Sequence, residues 1–158
     1  MTERTLVWTG MDAPRMEIAR VTIDRTSLWA EGTQIGVTPK SYELRYVLEP
    51  GHLRAEVVGG RSLELGLPDW ADYFDLGFSP VFNSLPVLAG LDGPRDFVMA
   101  WVSVPGLDVR RSDQRYEPLR LGVVRYRGSH RPGTPHFDLE FDDDGLVTLY
   151  PGLAERVA

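Results

Sequence analysis

Between Tyr42 and Leu67 apolar residues recur at every second position, in three successive runs separated by glycine-containing pairs. Tyr42, Leu44, Tyr46 and Leu48 share one parity, with mostly charged residues between them. After Pro50-Gly51, Leu53, Ala55 and Val57 alternate with Arg54 and Glu56, and after Gly59-Gly60 the pattern returns at Leu63, Leu65 and Leu67. A period of two is the signature of a strand with one buried face. Tight Gly turns between such strands predict an antiparallel meander. No stretch carries a helical apolar stripe of ordinary length, so whatever encloses the core must be built from sheet.

The rest of the chain extends this reading. Thr5 to Thr9 is short and β-rich, and Gly10 to Pro14 reads as a turn. Met16 to Ile23 alternates without a cleanly apolar face, as in a strand partly covered on both sides. Asp24 to Ser27 reads as a turn before a strand through Ala30. Asp96 to Val104 is apolar at both parities, as a buried central strand would be. Leu107 to Arg110 follows a Pro-Gly turn, and Gln114 to Arg127 reads as one long strand with a bulge near Gly122. Phe137 to Phe141 and Leu146 to Tyr150 flank Asp142-Asp143-Asp144-Gly145 as a hairpin. One helical turn capped by Asp69 and another over Leu153 to Val157 are the helical expectations outside the centre.

Tyr73 to Val87 obeys neither period and is broken by Pro80 and Pro86, yet it is rich in aromatics. Loops are ordinarily polar because their backbone stays wet. An apolar, proline-broken loop therefore packs down, and Asp75, Ser79, Asn83 and Ser84 need partners there. Many antiparallel strands kinked by Gly and Pro favour a single domain spanning 1–158, an all-β, strongly curled antiparallel sheet of roll or open barrel-like form with little helix. A two-sheet sandwich is the rival.

Composition removes several function classes. With no cysteine, disulfide scaffolds, zinc-thiolate sites and cysteine nucleophiles are excluded. A net charge of −6 argues against a nucleic-acid partner. His52, His130 and His136 lack metal-ligand spacing, and no phosphate loop, dinucleotide fingerprint or nucleophile elbow is present, so no metal or cofactor is expected. No run has the apolar length of a membrane span, and the N-terminal residues lack a signal-peptide pattern, so the expected location is the cytoplasm. What remains is an aromatic and arginine set, Trp101, Tyr116, Arg125, Tyr126, Arg127 and Tyr150. Flat aromatic faces suit sugar rings and guanidinium forks suit anionic headgroups. The same residues equally suit a β core with snorkelling arginines.

Several motifs in order resemble the bacterial putative glycolipid-binding family. They are Trp8 with Asp12-Ala13-Pro14 and Glu17, the central Asp75 to Val87, Trp101-Val102 with Pro105 and Leu107, Gln114-Arg115-Tyr116 with Leu119, Arg125-Tyr126, and Asp144 to Leu153 with Arg156. Ser79-Pro80, Asn83 and Leu85-Pro86 are the most specific piece. The resemblance implies a single-domain spiral β-roll, similar in shape to periplasmic lipoprotein carriers. It further implies a non-enzymatic binding protein for an amphipathic, glycolipid-like ligand. Relatives commonly read Thr-Asn-Thr where this chain has Phe82-Asn83-Ser84, and Arg-Arg where it has Leu88-Ala89. The expected ligand-binding residues are Asn83, Trp101, Tyr116, Arg125 and Tyr126, at the mouth of a hydrophobic cavity that buries the acyl part. Two rivals stand beside this: an enzyme acting on a sugar or lipid through a buried carboxylate such as Asp75, and a protein-interaction module.

Overall fold

The computed structural model describes residues 2–11, 15–24, 27–37, 40–129 and 131–158, and the side chains of all of these but 2–3 and 15–20. Parts of the two turns expected at 10–14 and 24–27, the burial of residues 16–20 and the position of His130 lie outside the described residues. The strands are β1 (Thr2–Thr9), β2 (Arg15–Asp24), β3 (Ser27–Gly36), β4 (Tyr42–Glu49), β5 (His52–Val57), β6 (Ser62–Gly66), β7 (Tyr73–Leu76), β8 (Arg95–Val102), β9 (Val109–Arg120), β10 (Val123–Arg127), β11 (His136–Phe141), β12 (Val147–Tyr150) and β13 (Ala154–Arg156). All thirteen belong to one sheet, ordered β6-β5-β4-β3-β2-β1-β13-β12-β11-β10-β9-β8-β7. The sheet is not closed; β6 and β7 are its edges.

The meander forms as its alternation demands. Leu44 lies opposite Val57 and Leu48 opposite Leu53, and the inward residues of β4 and β5 are buried. On β3, glycine faces each tyrosine ring of β4: Gly32 lies opposite Tyr46, and Gly36 opposite Tyr42. A Cβ at Gly32 would stand 2.6 Å from the Tyr46 ring, and one at Gly36 would collide with that of Tyr42. The glycines give the rings room to lie flat across the neighbouring strand.

β8 is covered on both faces, as its unbroken apolar run predicts. Phe97 and Met99 pack in one cluster with Tyr116, Val124, Tyr126 and Leu139. Ala100 and Val102, of the opposite parity, join the larger cluster built around the meander. The sheet therefore curls until its own end lies inside it. β7 is a departure from an all-antiparallel sheet: it runs parallel to β8, with Tyr73 opposite Met99 and Asp75 opposite Trp101. Parallel neighbours need a long crossover, and residues 77–94 supply it through a 3-10 turn (Pro80–Asn83) and α1 (Ser84–Leu88). Tyr73 to Val87 is thus a strand and two short helical turns rather than an irregular loop. Its residues are divided between the two clusters: Val81 and Phe82 serve the larger one, Tyr73 and Val87 the smaller.

Three further expectations change. Residues 68–72 form a turn closed by the Ala71 N–H to the Pro68 carbonyl, and Asp69 caps no helix. It is Asp72 whose carboxylate accepts a hydrogen bond from the Val98 N–H, at 2.8 Å. The segment 114–127 is two strands, with Leu121-Gly122 as the turn and Gly122 at φ +77°. The parity slip read as one bulge combines that turn with a register shift at Val123/Val124. Residues 154–156 are the strand β13 rather than a helical turn, and they join β1 to β12. The Asp142 to Gly145 turn closes as expected, through the Asp142 N–H to the Leu146 carbonyl.

Candidate functional site

The alternation of β9 puts Ser112, Gln114 and Tyr116 on its inward face, beside β8. Their polar groups form a chain that ends on a carboxylate. The Asn83 amide donates to the Tyr116 hydroxyl at 2.9 Å, and that hydroxyl donates to Gln114 Oε1 at 3.0 Å. Gln114 Nε2 in turn donates to Asp75 Oδ2 at 2.7 Å and to Ser112 Oγ at 3.2 Å. Tyr116 and Gln114 are 0% and 1% exposed, and Asp75 is 8% exposed. Buried polar groups are tolerable when each finds a partner. Burial nonetheless pushes the Asp75 carboxyl up to about 6, against the opposing pull of the Gln114 hydrogen bond.

Aromatic rings cross the same face from strand to strand. Tyr73–Phe97, Phe97–Tyr116, Tyr116–Tyr126, Tyr126–Tyr150 and Tyr150–Phe137 lie with centroids 5.8, 5.6, 5.2, 5.9 and 5.5 Å apart. Each spacing falls in the range where tilted or edge-to-face pairs attract. The row runs from Tyr73 through the fully buried Tyr116 to the exposed Phe137. Burial, and then the nearby Asp75 charge, raise the Tyr126 and Tyr150 hydroxyls well above the usual tyrosine range. Both therefore stay protonated donors.

A cleft of about 110 Å³ opens where these sets meet, walled by Asp75, Ser79, Asn83, Trp101, Tyr126 and Tyr150. Phe78 completes one side from the left-handed region, at φ +63°. A bulky side chain there costs about 1–2 kcal/mol, and such strain gathers at functional sites. The preceding carbonyl, that of Gly77, accepts a 3.0 Å hydrogen bond from the buried Gln34 amide, which pins the loop.

Of the five residues expected to bind ligand, Asn83, Trp101 and Tyr126 wall this cleft. Tyr116 stands one layer behind, holding Asn83 and Gln114. Arg125 is not brought there: Tyr126 faces the cleft, so its neighbour faces the opposite side of the sheet. There Arg125 grips Asp138, its cross-strand partner, at 2.9 and 3.3 Å. The aromatic set thus both fills a core and lines a cleft. Gln114 and Ser112 are not among the expected site residues; their spacing of two and four from Tyr116 signals a shared strand face but not the link to Asp75.

An apolar hollow of about 180 Å³ lies at the other end of β7, lined by Leu28, Leu48, Leu67, Phe74 and Leu85 among others. Sites for drug-sized ligands run to about 300–1,000 Å³. No helix among the described residues is long and apolar enough to cross a membrane.

A family model described as "Putative glycolipid-binding" matches residues 67–156, which contain every residue of the cleft. The fold is similar to the crystal structure of a DUF1089 family protein from Pseudomonas aeruginosa. That similarity has a TM-score of 0.55 at 20% identity and covers 99% of this chain and 93% of the other. None of the curated proteins matches the chain.

Proposed function

Because this chain belongs to the putative glycolipid-binding family, we propose that the cleft beside Asp75 takes the sugar head of a glycolipid-like amphiphile. The observation that carries this reading is the buried Asn83–Tyr116–Gln114–Asp75 chain, which fixes a carboxylate and an amide at the wall of an aromatic cleft. A sugar presents hydroxyls that donate to a carboxylate and accept from an amide or phenol, and apolar ring faces that stack on Trp or Tyr. Trp101, Tyr126 and Tyr150 supply the stacking faces, and Asp75 and Asn83 supply the orienting groups. At about 110 Å³ the cleft suits the head alone, so the acyl part stays outside it.

Native mass spectrometry of protein purified from its own host, with lipid extraction, tests this. The expected result is a copurifying amphiphile, displaced by an alkyl glucoside and lost in a Trp101→Ala, Tyr150→Ala double variant. Protein that carries no amphiphile and binds no alkyl glycoside would overturn the reading.

A second reading is favoured by Asp75 itself. A buried carboxyl raised to about 6 within a cleft suits general acid catalysis on a glycosidic or ester bond. Under that reading Asp75→Asn abolishes turnover of a chromogenic glycoside or ester in a variant whose cooperative melt is retained. Absence of turnover by the wild-type protein would dismiss it.

A further inference from the structure

The outer face of β8 to β11 carries two adjacent cross-strand rows of charge that are built differently. In one, Arg125 lies between Glu117 and Asp138, so each neighbour is opposite in sign. In the other the order is Asp96, Arg115, Arg127, His136. Arg115 and Arg127 are direct cross-strand partners, an arrangement that destabilises a sheet when nothing intervenes.

Arg131 adds a third guanidinium. It lines a depression of about 400 Å³ together with Asp96, Arg115, Arg127, Pro132 and Gly133. The loop that presents it is held on itself and on the sheet. The Thr134 hydroxyl donates to the Arg131 carbonyl at 2.7 Å, and Arg127 Nη1 donates to the Thr134 carbonyl at 3.1 Å. One carboxylate offsets this group, through Asp96 to Arg115 at 2.9 Å. Among the described residues no ion pair is found for Arg127 or Arg131, nor for Arg54, Arg95, Arg110 and Arg120; what sets Arg127 and Arg131 apart is that they line one depression together with Arg115.

We propose that Arg115, Arg127 and Arg131 form a binding site for a phosphate monoester, separate from the aromatic cleft and on the opposite face of the same strands. Three guanidiniums and one carboxylate leave an excess of two positive charges, on a chain whose net charge is −6. A phosphate monoester carries about −1.5 to −2 at neutral pH, whereas a carboxylate or a phosphodiester carries one. Guanidinium forks match phosphate oxygens in geometry as well as charge. An anion bridging Arg115 and Arg127 also removes the repulsion that the sheet otherwise bears.

The test uses two sources of the same chemistry: inorganic phosphate in solution, and vesicles of phosphatidic acid diluted in phosphatidylcholine. Thermal melts and arginine side-chain NMR follow the first, and cosedimentation the second, each at low and high NaCl. Phosphate raises the melting temperature of the wild-type protein and shifts the Arg127 and Arg131 Nε–H signals. Both effects fade with salt. Arg131→Gln weakens binding about tenfold and the Arg127→Gln, Arg131→Gln pair about a hundredfold. Arg131→Gln without phosphate melts no lower than wild type, which separates loss of binding from loss of fold. Binding to phosphatidic acid vesicles that free phosphate displaces identifies a lipid source; binding of phosphate alone identifies a soluble one. Wild-type protein that binds neither, or variants that bind both undiminished, overturn the proposal. Asp75→Asn, in the cleft, leaves phosphate binding unchanged, so failure of the sugar-head reading and failure of this one are distinguishable.

Discussion

Single residues set opposite responses to pH. The carboxyl of Asp75 is raised to about 6 by its burial. Between about pH 4 and pH 6 the folded protein holds a proton there that the unfolded chain has released. The associated stability is complete below pH 4 and is lost as pH rises through 6, by about 3 kcal/mol at most. In urea melts across this range, Asp75→Asn flattens that slope; parallel wild-type and variant curves would refute the assignment. Asp142 acts in the other direction. Burial pushes its carboxyl up, but hydrogen bonds from the Leu146 N–H, Arg156 and Arg4 outweigh it and hold it low. Its contribution is present above the unfolded value and is lost as pH falls through the folded one. Tyr116→Phe is the sharper structural test of the cleft, since it strands the Asn83 amide and Gln114 Oε1 together. Each unsatisfied group costs about 1–3 kcal/mol, and chemical denaturation measures the sum. From the sequence, Asp75 and Asn83 could be seen to need partners. Gln114 could not be identified as the link, because its tie to Asp75 crosses from β9 to β7 and leaves no local trace.

Elements with a full period were legible, and short ones were not. The meander from Tyr42 to Leu65 and the hairpin around Asp142 to Gly145 follow their alternation and turn residues. β7 has four residues and α1 five, too few for any period to declare itself, so their segment reads as a loop. The β9–β10 turn was hidden differently. Its tip residue, Leu121, is apolar but 100% exposed, so the run looks continuous through it. Gly122 holds the turn at φ +77°, with the Phe141 carbonyl 3.3 Å from where a Cβ would sit. Gly122→Ala is expected to cost about 1–2 kcal/mol, while Leu121→Asp changes stability by less than about 0.5 kcal/mol. Thermal melts of the two variants compare them directly, and equal losses would show that Gly122 has no special role.

At the scale of the molecule, the curled all-β architecture was legible and the strand order was not. Alternation specifies which face is buried, whereas the pairing of β1 with β13 joins residues at opposite ends of the sequence. Among the described strands the pairing ladder of the two halves is joined at β13, through Trp8 opposite Arg156 and Thr9 opposite Glu155 on one side and its pairing with β12 on the other; side chains of both halves also share the larger core cluster. Asp142 clips the same junction. It accepts from Arg4 of β1 at 2.6 Å and from Arg156 of β13 at 2.8 Å. Removing Asp142 takes the carboxylate from Arg156 and leaves Arg4 with Asp144 alone, at 3.2 Å, and Asp142→Ala is expected to lose about 3 kcal/mol, read as a fall in the urea midpoint. Truncation after Gly152 removes β13 and should abolish the cooperative melt. A truncated chain that still melts cooperatively near the wild-type temperature would show that the halves hold together without it.

That three-residue junction also governs when the protein can become whole during synthesis. The ribosome releases β1 to β6 first, and they can pair among themselves. Residues 154–156 emerge only after every other described strand. Until then the free edges of β1 and β12 are exposed together, the condition under which strands of neighbouring nascent chains pair wrongly. Pairing of β1 with β13 is a long-range event, and a codon change that slows translation just before Ala154 would lengthen that exposed interval without altering one side chain.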